Sequence, residues 1–341
     1  MVLTLAHPWN IARTRGMTSA ATVLVELTDA DGVVGRGEAA PISRYGESVE
    51  SVSDFLRRLD PDRLSFSDPA GGAEYVNSVL PGNLAAKCAV EVALLDGAAK
   101  RVEQPLYDFL GLGFCERTHV TSFTVAPGEP GIARQKLAEA AAFPILKIKV
   151  ATPGDRTLFE LARETAPSKR LRLDANEGWP TKELALRNIE EFAAAGGVEL
   201  VEQPMPASVP SRDWAWLKER SPVPVFADES YHLATDATRA ADCFHGVNVK
   251  LAKAGGIGPA LAALRAARTN KLSTMLGCMI ESSLLISAGA HLAELCDFLD
   301  LDGHLLIADD PFEGVTVERG VLSFARAREK FGAQASLRAP S

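Results

Sequence analysis

The chain has 341 residues, enough for about two domains, with 47% hydrophobic and 23% charged residues and a net charge of −8 from 44 acids against 36 bases. No Lys/Arg run exceeds a pair, which argues against a nucleic-acid surface and for a small polar substrate or a cation as partner. The five cysteines (Cys88, Cys115, Cys243, Cys278, Cys296) are scattered and form no C-x-x-C pair, the opening has no basic n-region, and no eighteen apolar residues run together. Disulfide framework, zinc site, signal peptide and membrane span are thereby disfavoured, and a soluble cytoplasmic protein is expected.

Residues 21–28 and 33–38 are β-rich runs around Asp29-Ala-Asp-Gly32, a hairpin signal, followed by a Gly/Pro-bearing loop from Gly37 to Gly46. Helical patterns follow at 48–59, 72–79 and 84–100, so residues 1–117 read as an α+β capping domain. From 118 the texture changes to short β-branched runs at 120–126, 145–150, 170–174, 198–202, 223–227, 246–250, 273–277 and 297–301, separated by helix-sized segments. Eight βα units over 118–314 fit a compact (β/α)8 barrel better than an open doubly wound sheet, and no G-x-G-x-x-G follows a first strand. The run Val315–Phe324 is a second hairpin, and 315–341 reads as a segment returning to the capping domain, its Arg/Ala-rich tail 325–341 partly disordered.

In Leu146-Lys-Ile-Lys-Val150 the strand period of two points Lys147 and Lys149 into one space, and neither is tolerated in a fold without nearby negative charge. That charge follows at successive strand ends: Asp174, Glu202 and Asp228, then Lys250, Glu281, Asp300 and Asp302. Barrel enzymes keep their chemistry at these ends. Any one of these acids alone reads as a helix cap or loop ion pair, and Lys-x-Lys alone as a solvated face. Joint placement, in order, separates the set from scatter.

Three carboxylates on consecutive strands make an all-oxygen site suited to Mg²⁺, or Mn²⁺. A substrate carboxylate there would lose its α-proton to one lysine and regain one from the other on the opposite face, giving the epimer. A lysine acts as base only when neutral, a form that neighbouring positive charge favours. Gly255-Gly-Ile-Gly258 is explained by a strand-to-helix turn without invoking phosphate.

On Lys-Ile-Lys149, Asp174-Ala-Asn, Glu202-Gln-Pro, Asp228-Glu-Ser and Lys250-Leu-x-Lys-x-Gly-Gly, the chain resembles the enolase superfamily, in its muconate-lactonizing subgroup, from about Pro8 to Phe324. The resemblance implies a capping domain on a modified barrel, Mg²⁺ on Asp174, Glu202 and Asp228, acid/base roles for Lys149 and Lys250, and a substrate-carboxylate contact for Lys147. A Lys base and a Mg²⁺-stabilised intermediate are known features of that superfamily. Asp300-Leu-Asp302 is similar to the Asp-x-Asp with which dipeptide epimerases bind a substrate ammonium, and Thr124 matches a substrate-contacting position.

The expected activity is therefore epimerisation of a dipeptide of the L-Ala-L/D-Glu kind. Arg13 and Arg15, near the capping loop 12–18, suit an acidic side chain, and the loop around Tyr45 also bears on selection. Glu281 would touch the bound carboxylate or support Lys250. Rival readings are a cycloisomerase or o-succinylbenzoate synthase-type lyase of the same superfamily, and a non-catalytic carboxylate-binding barrel. A homo-oligomer is compatible with the sequence, which leaves the oligomeric state open.

Overall fold

The computed structural model describes residues 1–339. Two antiparallel hairpins open the chain: β1 (Val2–Ile11) with β2 (Thr14–Ala21), and β3 (Val23–Thr28) with β4 (Val34–Ala39). Helices α1 (Val49–Leu56), α2 (Pro69–Val79) and α3 (Leu84–Arg101) follow, then the short α4 (Leu106–Phe109). The alanine-rich α3 is buried almost all round. It lies directly on β4 because Gly35 and Gly37 carry no side chain there: a Cβ at Gly37 would fall 1.9 Å from the Ala89 carbonyl oxygen.

Eight parallel strands come next: β5 (Phe123–Val125), β6 (Ile145–Lys149), β7 (Arg170–Asp174), β8 (Val198–Glu202), β9 (Val225–Ala227), β10 (Gly246–Lys250), β11 (Ser273–Gly277) and β12 (Phe298–Asp300). Neighbours in sequence are neighbours in the sheet, and a parallel bridge from Thr121 to Leu299 joins the last strand to the first. Crossovers run through α5 (Pro130–Glu139), α6 (Asp155–Thr165), α7 (Lys182–Ala194), α8 (Ser211–Arg220) and α9 (Ala237–Cys243). After β10 the chain makes α10 (Leu251–Ala254) and α11 (Ile257–Thr269), and after β11, α12 (Ser283–Ala290). All eight strands lie within the runs expected from the sequence.

In β6 every residue is buried: Leu146 and Ile148 belong to the core under the helices, while the alternate positions carry the two lysines. Each buried aliphatic side chain contributes about 1.5–3 kcal/mol, against a cost of several kcal/mol for any lysine buried unpaired. The fold therefore depends on those lysines finding acids.

Two carboxylates tie the N-terminal unit to the barrel. Glu38 on β4 accepts from the Ser282 N–H and hydroxyl at the start of α12, and Glu91 on α3 accepts from the Gly258 N–H in the first turn of α11. Both sit where helix N-termini favour negative charge.

β13 (Phe312–Glu313) pairs with the final strand β16 (Ser336–Leu337), and the expected hairpin lies between them as β14 (Thr316–Glu318) against β15 (Val321–Ser323). Within the tail, β16 pairs with β13 and residues around Ala333 pack against the N-terminal unit. Ala333 and Ala335 are buried, and the Ala333 N–H donates to Asp96 on α3. Composition alone hid this, because small alanines pack into narrow gaps without a hydrophobic run to announce them. Residues 340 and 341 lie outside the described residues.

Candidate active site

Strand register puts the charged side chains in rows. Lys149, Asp174 and Glu202 are direct partners across β6, β7 and β8, and Lys250, Gly277 and Asp300 across β10, β11 and β12. Thr124 pairs with Lys147 one step below. In an eight-strand ring, β6 and β10 are four apart, so Lys149 and Lys250 hang from opposite walls, with Asp174, Glu202 and Asp228 at the ends of the three strands between. All of these groups are buried.

Lysines and acids alternate in contact. Lys147 Nζ lies 2.6 Å from Asp300 Oδ2, 2.8 Å from Glu202 Oε2 and 3.1 Å from Asp174 Oδ2. Lys149 Nζ is 2.7 Å from Asp174 Oδ2, and Lys250 Nζ 2.8 Å from Asp228 Oδ2. Among the described residues the acids form no ready cation cluster, since each is turned onto an ammonium.

The donor set nonetheless fits a hard divalent ion. It is carboxylate oxygen throughout. Glu202 Oε2 accepts no aligned hydrogen bond, and burial and then Asp174 push its carboxyl up to about 7. Burial also acts to raise Asp174, but Lys149 and Lys147 outweigh it and hold that carboxyl low; Lys250 and Lys253 do the same for Asp228.

On the eighth strand, Asp300 accepts from Ser122 Oγ at 2.7 Å as well as from Lys147. Asp302 accepts from the Thr124 N–H, and burial followed by Asp300 pushes it up to about 7. Glu281 accepts from the Met279 N–H at 3.2 Å, and burial, reinforced by Glu38, holds it well above the carboxylate range.

Arg13, on the β1–β2 turn, reaches over the barrel rim. It donates to Glu229 Oε1 at 2.7 Å, Glu177 Oε2 at 2.9 Å and the Asn176 carbonyl at 3.0 Å. Arg15 lines a groove of about 500 Å³ together with Asn10, Pro127, Thr152 and Gly154. The two arginines are thus not brought together. Tyr45 stands edge-on to His232, ring centroids 5.3 Å apart.

A family model described as Enolase C-terminal domain-like matches residues 132–331, and one described as Mandelate racemase / muconate lactonizing enzyme, N-terminal domain, matches residues 1–111. This chain belongs to that family, within the enolase superfamily. It is 52% identical over 332 residues to an L-Ala-D/L-amino acid epimerase of Pedosphaera parvula, covering 97% of this chain and 96% of the relative. A substrate-liganded L-Ala-D/L-Glu epimerase from Bacillus subtilis superposes with a TM-score of 0.89 at 30% identity, over 100% of this chain and 97% of that one. A dipeptide epimerase from Cytophaga hutchinsonii, complexed with Mg and D-Ala-L-Val, gives 0.88 at 28% identity over 99% and 94%.

Several contributors to this enolase-superfamily site carry no assigned role in the sequence reading. Asn248 donates to Glu202 Oε1 at 2.8 Å, and Lys253 donates to Asp228 Oδ1 at 2.6 Å and to its backbone oxygen. Trp9 lies with its ring centroid 5.5 Å from Lys149 Nζ. Asn248 stands two residues before Lys250 and Ser122 two before Thr124, so strand periodicity marks both. No local signal marks Trp9, which arrives from another unit.

Proposed function

We propose that this chain is a Mg²⁺-dependent dipeptide epimerase, an isomerase that moves the α-proton of the C-terminal residue from one face to the other. The observation that carries the reading is the placement of Lys149 and Lys250 on opposite walls with three acids between them. Asp174, Glu202 and Asp228 would hold the ion. When bound, Mg²⁺ supplies positive charge beside the substrate carboxylate as the α-proton leaves. Lys149 takes the proton at one face and Lys250 delivers one at the other, with the roles exchanged in the reverse direction.

Lys147 suits a different task. Burial acts to lower both Lys147 and Lys250, but carboxylates outweigh it and raise them, so contact and not charge sets Lys147 apart: it is wedged among Asp300, Glu202 and Asp174, whereas Lys149 and Lys250 each meet one acid. An ammonium held from three sides is placed to bind a substrate carboxylate. Asp300 and Asp302 take the substrate ammonium, with Thr124 fixing Asp302 through its N–H. Burial of the whole set excludes water and strengthens each contact.

The favoured substrates are L-Ala-L/D-Glu or related dipeptides, with the groove at Arg15 and the turn at Arg13 bearing on the C-terminal side chain. Glu281, buried and holding the Met279 N–H, would touch the bound carboxylate or support Lys250. Reduced thiols suit work in the cytoplasm, and the five cysteines are free. A lyase of the same superfamily, acting on a substrate without an amine, would bring no cation to Asp302, which unlike Asp300 is not held by Lys147 and, among the described residues, meets only the Thr124 N–H, and this disfavours it.

The test is incubation of L-Ala-L-Glu and a panel of L-Ala-L-X dipeptides with Mg²⁺, resolved by chiral chromatography. Conversion to the L,D epimer, abolished by chelation, is expected. Dehydration or cycloisomerisation of an amine-free acid with no dipeptide turnover would favour the lyase instead.

A further inference from the structure

The turn Gly255-Gly256-Ile257-Gly258 is the seat of a buried carboxylate from the N-terminal unit. Glu91, on α3, is 9% exposed; its Oε1 accepts from the Gly258 N–H at 3.1 Å, and the carboxylate also faces the Ile257 N–H. A Cβ on Gly256 would fall 1.6 Å from Oε2, and one on Gly258 2.6 Å from Oε1, so glycine is what leaves room for the acid. Oε2 accepts no hydrogen bond, which makes this an expensive group to bury for stability alone.

The same turn ends α10. That helix has four residues, with Lys250 at its N-cap and Lys253 in its only turn. Lys250 and Lys253 grip the two oxygens of Asp228 from this one short segment, and Lys253 also donates to the Asn248 carbonyl at 3.0 Å. Such a short helix has little stiffness of its own. It runs from β10 at one end to the Glu91 seat at the other and packs along α3 and α11. Lys149 hangs from β6 on the opposite wall, which has no part in that turn.

We propose that Glu91 is a positioning residue for Lys250: the carboxylate of α3, seated at the N-terminus of α11, fixes the far end of the short helix that Lys250 caps, and with it the direction in which Lys250 reaches the substrate from the end of β10. The inference rests on the epimerase reading and adds that docking of the N-terminal unit is coupled to one face of the reaction. A sub-ångström shift of the seat would misplace Lys250 and spare Lys149.

Exchange of the α-proton in D₂O, measured separately from the L,L and L,D epimers of a dipeptide, resolves the two faces. Lys250→Ala identifies the epimer whose proton faces Lys250, as the one whose exchange is lost. Glu91→Ala is expected to slow exchange from that epimer about tenfold while the other stays within about twofold. Glu91→Gln keeps the shape and one acceptor oxygen, and should slow the same epimer about threefold; it stands alone as the test if the alanine variant does not fold. Equal losses on both faces, or no loss on either, in active protein overturn the inference alone. Wild-type protein that exchanges neither epimer of any dipeptide overturns the epimerase reading, and the inference with it.

Discussion

Lys147 and Lys149 are two residues apart and differ in company. Lys147 is wedged among three carboxylates; Lys149 meets Asp174 and the face of Trp9. A neutral Asp302→Asn change should lower kcat/KM for dipeptides by about 10²–10³, the loss expected for a buried ammonium stripped of one charged partner. N-Acetylated dipeptides, poor substrates for the wild type, should respond far less, and comparing the two in steady-state kinetics checks the assignment. For Glu202→Gln, titration calorimetry should show Mg²⁺ affinity down at least about tenfold, while an unchanged affinity would remove Glu202 from the ligand set. Period-two reasoning exposes Lys147, Lys149, Asp300 and Asp302, and one step back along each strand it also marks Ser122 and Asn248. Trp9 and Glu91 are invisible to it, because their site contacts exist only once two units dock.

Among elements, the barrel strands are plain in the sequence because each is short and rich in Val, Ile or Leu, with apolar residues at alternate positions as in Ile145-Leu-Lys-Ile-Lys149 and Arg170-Leu-Arg-Leu-Asp174, and helix-sized segments separate them. The β1–β2 hairpin is not. Its strands are mostly exposed, with only Leu3 and Leu5 buried in β1, so hydrophobic patterning marks little beyond its start. Yet this hairpin delivers Trp9 and Arg13 to the barrel mouth. The glycine turn after α10 reads correctly as a connection, while the acid that fills it lies 165 residues earlier in the chain, between Glu91 and Gly256. Gly256→Ala should therefore destabilise the protein by about 2–4 kcal/mol in chemical denaturation, from the clash with Glu91 and a φ of +135°. An unshifted midpoint would mean that the seat yields easily.

For the whole molecule, acid sensitivity follows from buried histidine. His291 is fully buried against Phe324, ring centroids 4.5 Å apart, and burial pushes it down to about 3. Its folded value lies below its unfolded one, so its contribution is intact above about pH 6.5 and is lost as pH falls towards 3, where the unfolded chain takes the proton that the native state refuses. His291→Asn should reduce the slope of stability against pH by about 1.4 kcal/mol per unit between pH 6 and 4, read from urea midpoints. An unchanged slope would place the titration elsewhere, for instance on His232 or His304, both pushed down to about 4 chiefly by burial.

The central claim concerns one proton and two walls. Incubation with Mg²⁺ in D₂O and a pool of L,L-dipeptides, followed by mass spectrometry, should show deuterium entering at the α-carbon of the C-terminal residue and appearing in both epimers, with Lys149→Ala and Lys250→Ala each preventing epimerisation. No deuterium in any dipeptide, or uptake that survives loss of both lysines, would contradict the account.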